Sequence, residues 1–233
     1  MNLLLLEARD FVAPDLALVD DRRCEHVRKI HRAVVGDSVR VGQVNGLIGE
    51  GTIEILERER LQLRVQLTAS PPPKLPVTLA VALPRPHSLQ RVLAYGAAMG
   101  VPRFVFFHSA RVEKSYWDSH ATQQPAVRRH LLLGLEQAVD TVMPTVEMQR
   151  RFLPFAEDLL PTLGGPVVVA HPEPAEASAG PTPRPGVVVV GPEGGFVPFE
   201  LARLMSAGAR CHSLGPRILR VETAVVALLS RLA

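Results

Sequence analysis

From Leu61 to Leu67 the chain alternates strictly, with Leu61, Leu63, Val65 and Leu67 set against Gln62, Arg64 and Gln66. That is the period of a strand with one face buried. Upstream, Asn45-Gly46 separates Val39-Arg40-Val41 from Ile53-Glu54-Ile55, and Asn-Gly between such runs predicts a tight hairpin because both turn positions need positive φ. A single helix is expected from Arg22 to Val35, stopped at Gly36-Asp37. The opening third therefore predicts a mainly β unit, most economically a small barrel.

The pattern changes after Ser70-Pro71-Pro72-Pro73-Lys74-Leu75-Pro76, a stretch that can continue neither a ladder nor a helix. Beyond it, apolar runs alternate with longer amphipathic segments. Val77–Leu83, Arg103–Phe107, Val167–Ala170 and Val187–Val190 predict strands. Leu89–Met99, Val127–Val139, Phe155–Leu163 and Glu222–Leu232 predict helices. Alternation of this kind implies an α/β fold with a mostly parallel sheet. The expected organisation is a domain over residues 1–70, a linker over 71–76 and a second domain over 77–233. Residues 171–186, rich in Pro, Ala and Glu, read as a surface loop able to serve as a lid.

Composition narrows the class. With 47% hydrophobic and 21% charged residues over 233 positions, the chain can bury a sizeable core, and no run approaches the roughly twenty apolar residues of a membrane span. The Leu3–Leu6 run lacks the basic flank and length of a signal-peptide core, so a cytoplasmic protein without membrane association is expected. Cys24 and Cys211 stand far apart with no metal-ligand spacing and read as buried side chains. The net charge of +3 is small, but Arg22, Arg23, Arg28, Lys29, Arg32 and Arg40 cluster around the first helix, interleaved with His26 and His31. Such a surface suits phosphate backbones, and a solvated helix face is the competing reading.

For chemistry, two segments stand out. Val187–Val190 runs into Gly191-Pro192-Glu193-Gly194-Gly195-Phe196, and about twenty residues later comes Leu214-Gly215-Pro216-Arg217-Ile218-Leu219-Arg220-Val221-Glu222-Thr223-Ala224. Glycines after a buried strand let backbone amides approach a ligand closely. No dinucleotide fingerprint, P-loop lysine, nucleophile elbow or paired-histidine metal helix accompanies them, so nucleotide hydrolysis and the common hydrolase classes fall away. What fits is a ligand held by backbone groups and apolar walls, such as an adenine nucleoside.

The two segments together resemble the signature of the family that methylates N3 of a uridine in 16S ribosomal RNA, one of the SPOUT methyltransferases. The resemblance extends over nearly the whole chain, including Gly36-Asp37 after a basic helix, Gln137 within Leu135-Glu136-Gln137-Ala138, and Ala170-His171-Pro172 at a strand end. It implies S-adenosyl-L-methionine as methyl donor, no metal, an N-terminal PUA-like β-barrel, a C-terminal α/β domain with a deep trefoil knot, and a homodimer acting on 16S rRNA or the small ribosomal subunit.

By the same resemblance the cofactor site comprises Ala170, His171, Pro172, Gly191, Pro192, Glu193, Gly194, Gly195, Leu214, Gly215, Pro216, Ile218 and Leu219. Arg220 is a candidate to hold the uracil oxygens, and Glu222 a candidate base or orienter. A competing reading pairs those two with each other at a helix start. RNA contacts are expected from Arg22, Arg23, Arg28, Lys29, Arg32 and Arg217. The chain departs from the family pattern in having Arg85 after the first strand and Leu89-Gln90-Arg91 on the following helix. It also has Ala138-Val139-Asp140-Thr141 where an arginine is usual. Two other readings stay open: a SPOUT methyltransferase acting on a different RNA, and a catalytically silent RNA-binding protein of the same fold.

Overall fold

The computed structural model describes residues 2–171 and 186–232. The chain forms two compact units, one of residues 1–73 with 132–143, the other of residues 74–131 with 144–233.

In the first unit, strands β1 (Leu4–Leu6), β2 (Phe11–Ala13), β3 (Leu16–Val19), β4 (Ser38–Gln43), β5 (Ile48–Leu56) and β6 (Leu61–Ala69) make one sheet in the order β1-β4-β5-β6-β3-β2. All ladders are antiparallel except β1 with β4. The alternation along β6 is realised as drawn, for Leu61, Leu63 and Val65 are buried against Leu4, Leu6, Val19, Val41 and Ile53. The β4–β5 hairpin closes where expected, but of the two expected turn positions only Asn45 takes positive φ, at 60; Gly46 does not, and donates back to Gln43 at 2.8 Å.

The expected helix from Arg22 to Val35 is shorter. Helix α1 spans Arg22–His26 and continues as a wider π-type turn over Val27–His31. Arg32 then turns left-handed at φ 51, a conformation no helix can propagate. The Asp37 carboxyl accepts from the Val34 amide at 2.9 Å, so side-chain capping replaces the last helical turn.

The second unit holds β7 (Thr78–Ala82), β8 (Arg103–Phe107), β9 (Thr145–Gln149), β10 (Val167–Ala170), β11 (Val187–Val190) and β12 (Arg210–His212), in the order β12-β10-β11-β7-β8-β9. Every pairing is parallel. Strands β7 and β11 are buried along their full length, which explains why they read as continuous apolar runs instead of alternating. Helices α2 (Pro86–Ala98), α3 (Gln124–Ala138), α4 (Pro198–Ser206) and α5 (Val221–Leu232) connect or follow the strands. A Cβ at Gly96 would lie 2.6 Å from the Phe104 ring, so glycine there allows α2 to seat directly on β8.

Strands β9 and β12 and helix α4 were not anticipated. Strand β12 has only three residues, two of them charged or polar, and β9 is half-exposed as Thr-Val-Glu-Met-Gln. Neither carries a strong periodic signal. The segment expected as a helix over Phe155–Leu163 forms a π-type turn, Pro154–Leu159, and a 3-10 turn, Leu160–Thr162. Of the expected loop over 171–186, only its two ends lie within the described residues.

Candidate functional site

The parallel register decides where the chemistry collects. Ala170 pairs with both Val190 and His212, so β10, β11 and β12 end level and release His171, Gly191 and Ser213 side by side. Carboxyl ends of neighbouring parallel strands are where open α/β sheets bind ligands.

The turn after β11 is fixed at both ends. Gly195 donates to Pro192 at 2.8 Å and adopts φ 73, a left-handed geometry that a side chain would strain. Phe196 then plunges back into the core, stacking parallel to Phe107 at 6.3 Å. A Cβ at Gly191 would come within 3.1 Å of the Phe196 ring. Glu193 Oε1 accepts from the Arg85 amide at 3.1 Å, satisfying the open start of α2. Arg111 Nη1 donates to the Gly194 carbonyl.

After β12, the chain stays irregular from Ser213 to Arg220. Ser213 Oγ accepts from the Gly215 amide at 3.2 Å, with Gly215 at φ 105. Arg220 supplies the carbonyl that receives the Ala224 amide at 2.8 Å, so its backbone starts α5.

Between these turns lies a cleft of about 240 Å³. Of the residues expected to hold a cofactor, Ala170, His171, Gly191, Pro192, Glu193, Gly194, Gly195, Leu214, Gly215, Ile218 and Leu219 line it. Pro216 does not, and Pro172 lies outside the described residues. Arg217, expected to meet RNA, is also on the wall.

Sequence reasoning missed Val190, Phe196, His212, Val221 and Ala224. Phe196 follows the glycine turn directly and could have been taken with it. His212 was hidden by the weakness of β12. Burial lowers the His212 imidazole below its ordinary value, and the charge of Arg231 acts in the same direction. The wall therefore presents a neutral ring near neutral pH. Among the described residues, no group of three or more His, Cys, Asp or Glu side chains is placed to hold a metal ion.

The expected pairing of Arg220 with Glu222 does not form. Glu222 is buried, and its Oε1 accepts from Arg91 Nη1 at 3.1 Å. Burial pushes the carboxyl upward, but its own backbone amide, the Ser88 hydroxyl and Arg91 together hold it below the ordinary carboxylate range. Glu222 is tied to α2 and is not on the cleft wall, an arrangement that suits the orienter of the two roles expected of it better than the base. Arg220 is exposed, with no ion-pair partner among the described residues.

The basic cluster also divides. Arg23 is buried, and its five N–H donors are consumed by Asp10, Asp21 and the Leu5 carbonyl at 2.6–3.1 Å. These carboxylates raise its pKa far above the usual arginine range against the opposing effect of burial. It holds β1, the Asp10 turn and α1 together and has nothing left for a phosphate, which corrects its expected role. Arg22 is partly committed, donating to buried Glu136 at 2.8 Å. Lys29 meets Glu25 at 2.5 Å on the exposed face, a pair of low strength that leaves the ammonium hydrated. Arg32 is exposed with no carboxylate partner among the described residues, and Arg28 is half-buried.

A parallel α/β unit whose strand ends enclose a backbone-rich, apolar cleft has the form in which open sheets bind small ligands. Comparison narrows this. Residues 71–233 match the model of the RNA methyltransferase domain family. The chain is 30% identical over 231 residues to the ribosomal RNA small subunit methyltransferase E of Mycobacterium bovis, covering 92% of this chain and 84% of that protein. It is 25% identical to the protein of the same name from Treponema pallidum, over 97% of this chain and 88% of the relative. A crystal structure of a ribosomal RNA small subunit methyltransferase E from Neisseria gonorrhoeae bound to S-adenosyl methionine superposes with a TM-score of 0.76 at 18% identity, covering 99% and 96% of the two chains. The protein is a member of the RNA methyltransferase domain family.

Proposed function

We propose that this protein is an S-adenosylmethionine-dependent methyltransferase that methylates N3 of a uridine in the 16S ribosomal RNA of the small subunit. The observation that carries the reading is the cleft at the ends of β10, β11 and β12, built from three turns that the family resemblance assigns to the cofactor. The names of the Mycobacterium and Treponema relatives and the ligand of the Neisseria protein support it.

The residues present fit such a donor. Gly191, Gly195 and Gly215 leave the wall free of side chains where backbone must approach. Leu214, Leu219, Val221 and Ala224 supply apolar surface, and the His171 and His212 rings give polar edges. S-adenosylmethionine, when bound, supplies a methyl group activated by its sulfonium charge. The chain's own task is to orient the uracil and to favour release of its N3 proton to solvent at the open side of the cleft, because the neutral nitrogen is a poor nucleophile. Arg220, exposed and off the cleft wall but between the lining residues Leu219 and Val221, serves by holding the uracil oxygens, so that charge developing on the ring meets a cation. Arg217 beside it meets a flanking phosphate. The apolar wall residues lower the local polarity and so strengthen both effects.

The remaining features belong to the same proposal. Residues 1–70 act as a PUA-like barrel, joined through 71–76 to a knotted domain over 77–233, although residues 132–143 of that span cluster with the first unit. The barrel positions RNA on phosphates through Arg28, Lys29 and Arg32, with Arg22 assisting. The active form is a cytoplasmic homodimer. No helix among the described residues is long and apolar enough to cross a membrane. The test is transfer of tritium from labelled S-adenosylmethionine to small-subunit RNA lacking the modification. Incorporation that is lost with Arg220→Ala at unchanged cofactor affinity is expected; absence of incorporation by the wild-type protein overturns the reading.

A further inference from the structure

We infer that Glu200 and Arg111 form a strut that sets the shape of the Gly191–Gly195 turn, making both residues positioning residues for the cofactor site. This rests on the assignment of that turn to the cofactor.

Glu200 is 2% exposed and sits in the first turn of α4. Its Oε2 accepts from the Val197 amide at 3.1 Å, as a carboxyl at that helical position commonly does. That bond alone would be local capping. The other two bonds reach a segment some ninety residues earlier in the chain. Oε1 accepts from the Ala110 amide at 2.7 Å, and Oε2 accepts from the Ser109 hydroxyl at 3.0 Å. Ser109 is wholly buried, so the carboxyl pins the start of the loop after β8.

The next residue in that loop is Arg111, whose Nη1 donates to the Gly194 carbonyl. Its side chain also fills the space beside that glycine, since a Cβ at Gly194 would lie 3.0 Å from the Arg111 Cδ. Glu200 thus fixes residues 109 and 110, and these deliver Arg111 to the outer side of a turn whose other side lines the cleft. A glycine-rich turn has many accessible conformations. The strut selects one, which lowers the ordering cost of binding.

A glutamine at position 200 cannot replace the carboxyl. Whichever way its amide faces, the NH₂ group meets either the Ala110 or the Val197 amide, and one part-buried N–H loses its carboxylate acceptor. Glu200→Gln and Arg111→Met, singly and together, separate the cases. Calorimetry with S-adenosylmethionine is expected to show affinity about tenfold weaker in each single variant. The double variant should be no weaker than Glu200→Gln, because the two act in series. The cofactor KM should rise while kcat stays within about twofold, as loss of ground-state binding requires. In the ligand-free protein, hydrogen exchange at the Gly195 amide, which donates to Pro192, should accelerate about tenfold, while Val188–Val190 keep their protection. Additive losses in the double variant, or unchanged exchange at the turn in both single variants, overturn the strut. If the wild-type protein fails to bind S-adenosylmethionine, the cofactor assignment fails, and the exchange measurement still decides the strut.

Discussion

Glu222 Oε1 accepts a hydrogen bond from Arg91 Nη1 at 3.1 Å, tying the first turn of α5 to α2. The carboxyl is 6% exposed and the guanidinium 39%, so the pair is anchored on the carboxyl side and hydrated on the other. Its consequence is to release Arg220 from the helix start. Glu222→Gln is expected to cost about 1–2 kcal/mol of stability, less than a fully buried pair because Arg91 keeps much of its hydration. Denaturant unfolding measures this. Methyl transfer should fall by no more than the loss of folded protein explains; a thousandfold loss of kcat at unchanged stability would show that Glu222 is a base after all.

Arg23 with Asp10 and Asp21 is a structural cluster, and its removal should look structural. Arg23→Met leaves the buried Asp10 carboxyl without its cation, which costs about 3–5 kcal/mol. The checking measurement is the urea midpoint.

Arg28 and Arg32 should behave oppositely. Replacing both with Gln is expected to leave the melting temperature within a few degrees. If each contacts one phosphate, the slope of log affinity against log salt should shrink by about 0.7–0.9 per residue. An unchanged slope in RNA binding assigns them to a solvated face.

Gly194 is not held at positive φ, so a side chain there is tolerated by the backbone, and what it meets is the flexible Arg111. Gly194→Val should remain folded with a melting temperature near that of the native protein, yet lose detectable cofactor binding as Arg111 is displaced and the turn shifts. Calorimetry at wild-type affinity would remove the turn from the site.

Acid should weaken the fold by way of His212. Burial, with Arg231 adding to it, lowers its folded pKa below the ordinary 6.5. The unfolded chain therefore binds more protons than the folded one as pH drops through that value. Stability is fully present above pH 6.5 and declines below it. His130, lowered by burial and by Arg129, contributes with the same sign. A melting-temperature profile from pH 8 to 5 should slope downward in the native protein and less steeply in His212→Asn.

Much of this was legible in the residues. The β4–β5 hairpin, the alternation of β6 and the buried runs of β10 and β11 are local signals of turn chemistry and period, and each appears where expected. The cleft was legible because its turns are contiguous in sequence. What sequence could not reveal is which partner a charged residue selects. Arg23 looks no different from Arg32 until β1 and the Asp10 turn are folded around it, and Glu222 has Arg220 nearby in sequence but Arg91 in space. Similarly, Glu200 lies in a helix that the sequence did not announce, and only the pairing of β8 with β7, and of β7 with β11, brings Ser109 and Ala110 within its reach.

Mapping the methylated product separates uridine-N3 transfer in 16S RNA from every other activity open to this fold. Small subunits lacking the modification would be incubated with the protein and labelled S-adenosylmethionine, and the RNA digested to nucleosides and located fragments. A single labelled N3-methyluridine within the 16S RNA is expected. Label in transfer RNA, at another ribosomal position, or on an atom other than uridine N3 would contradict it.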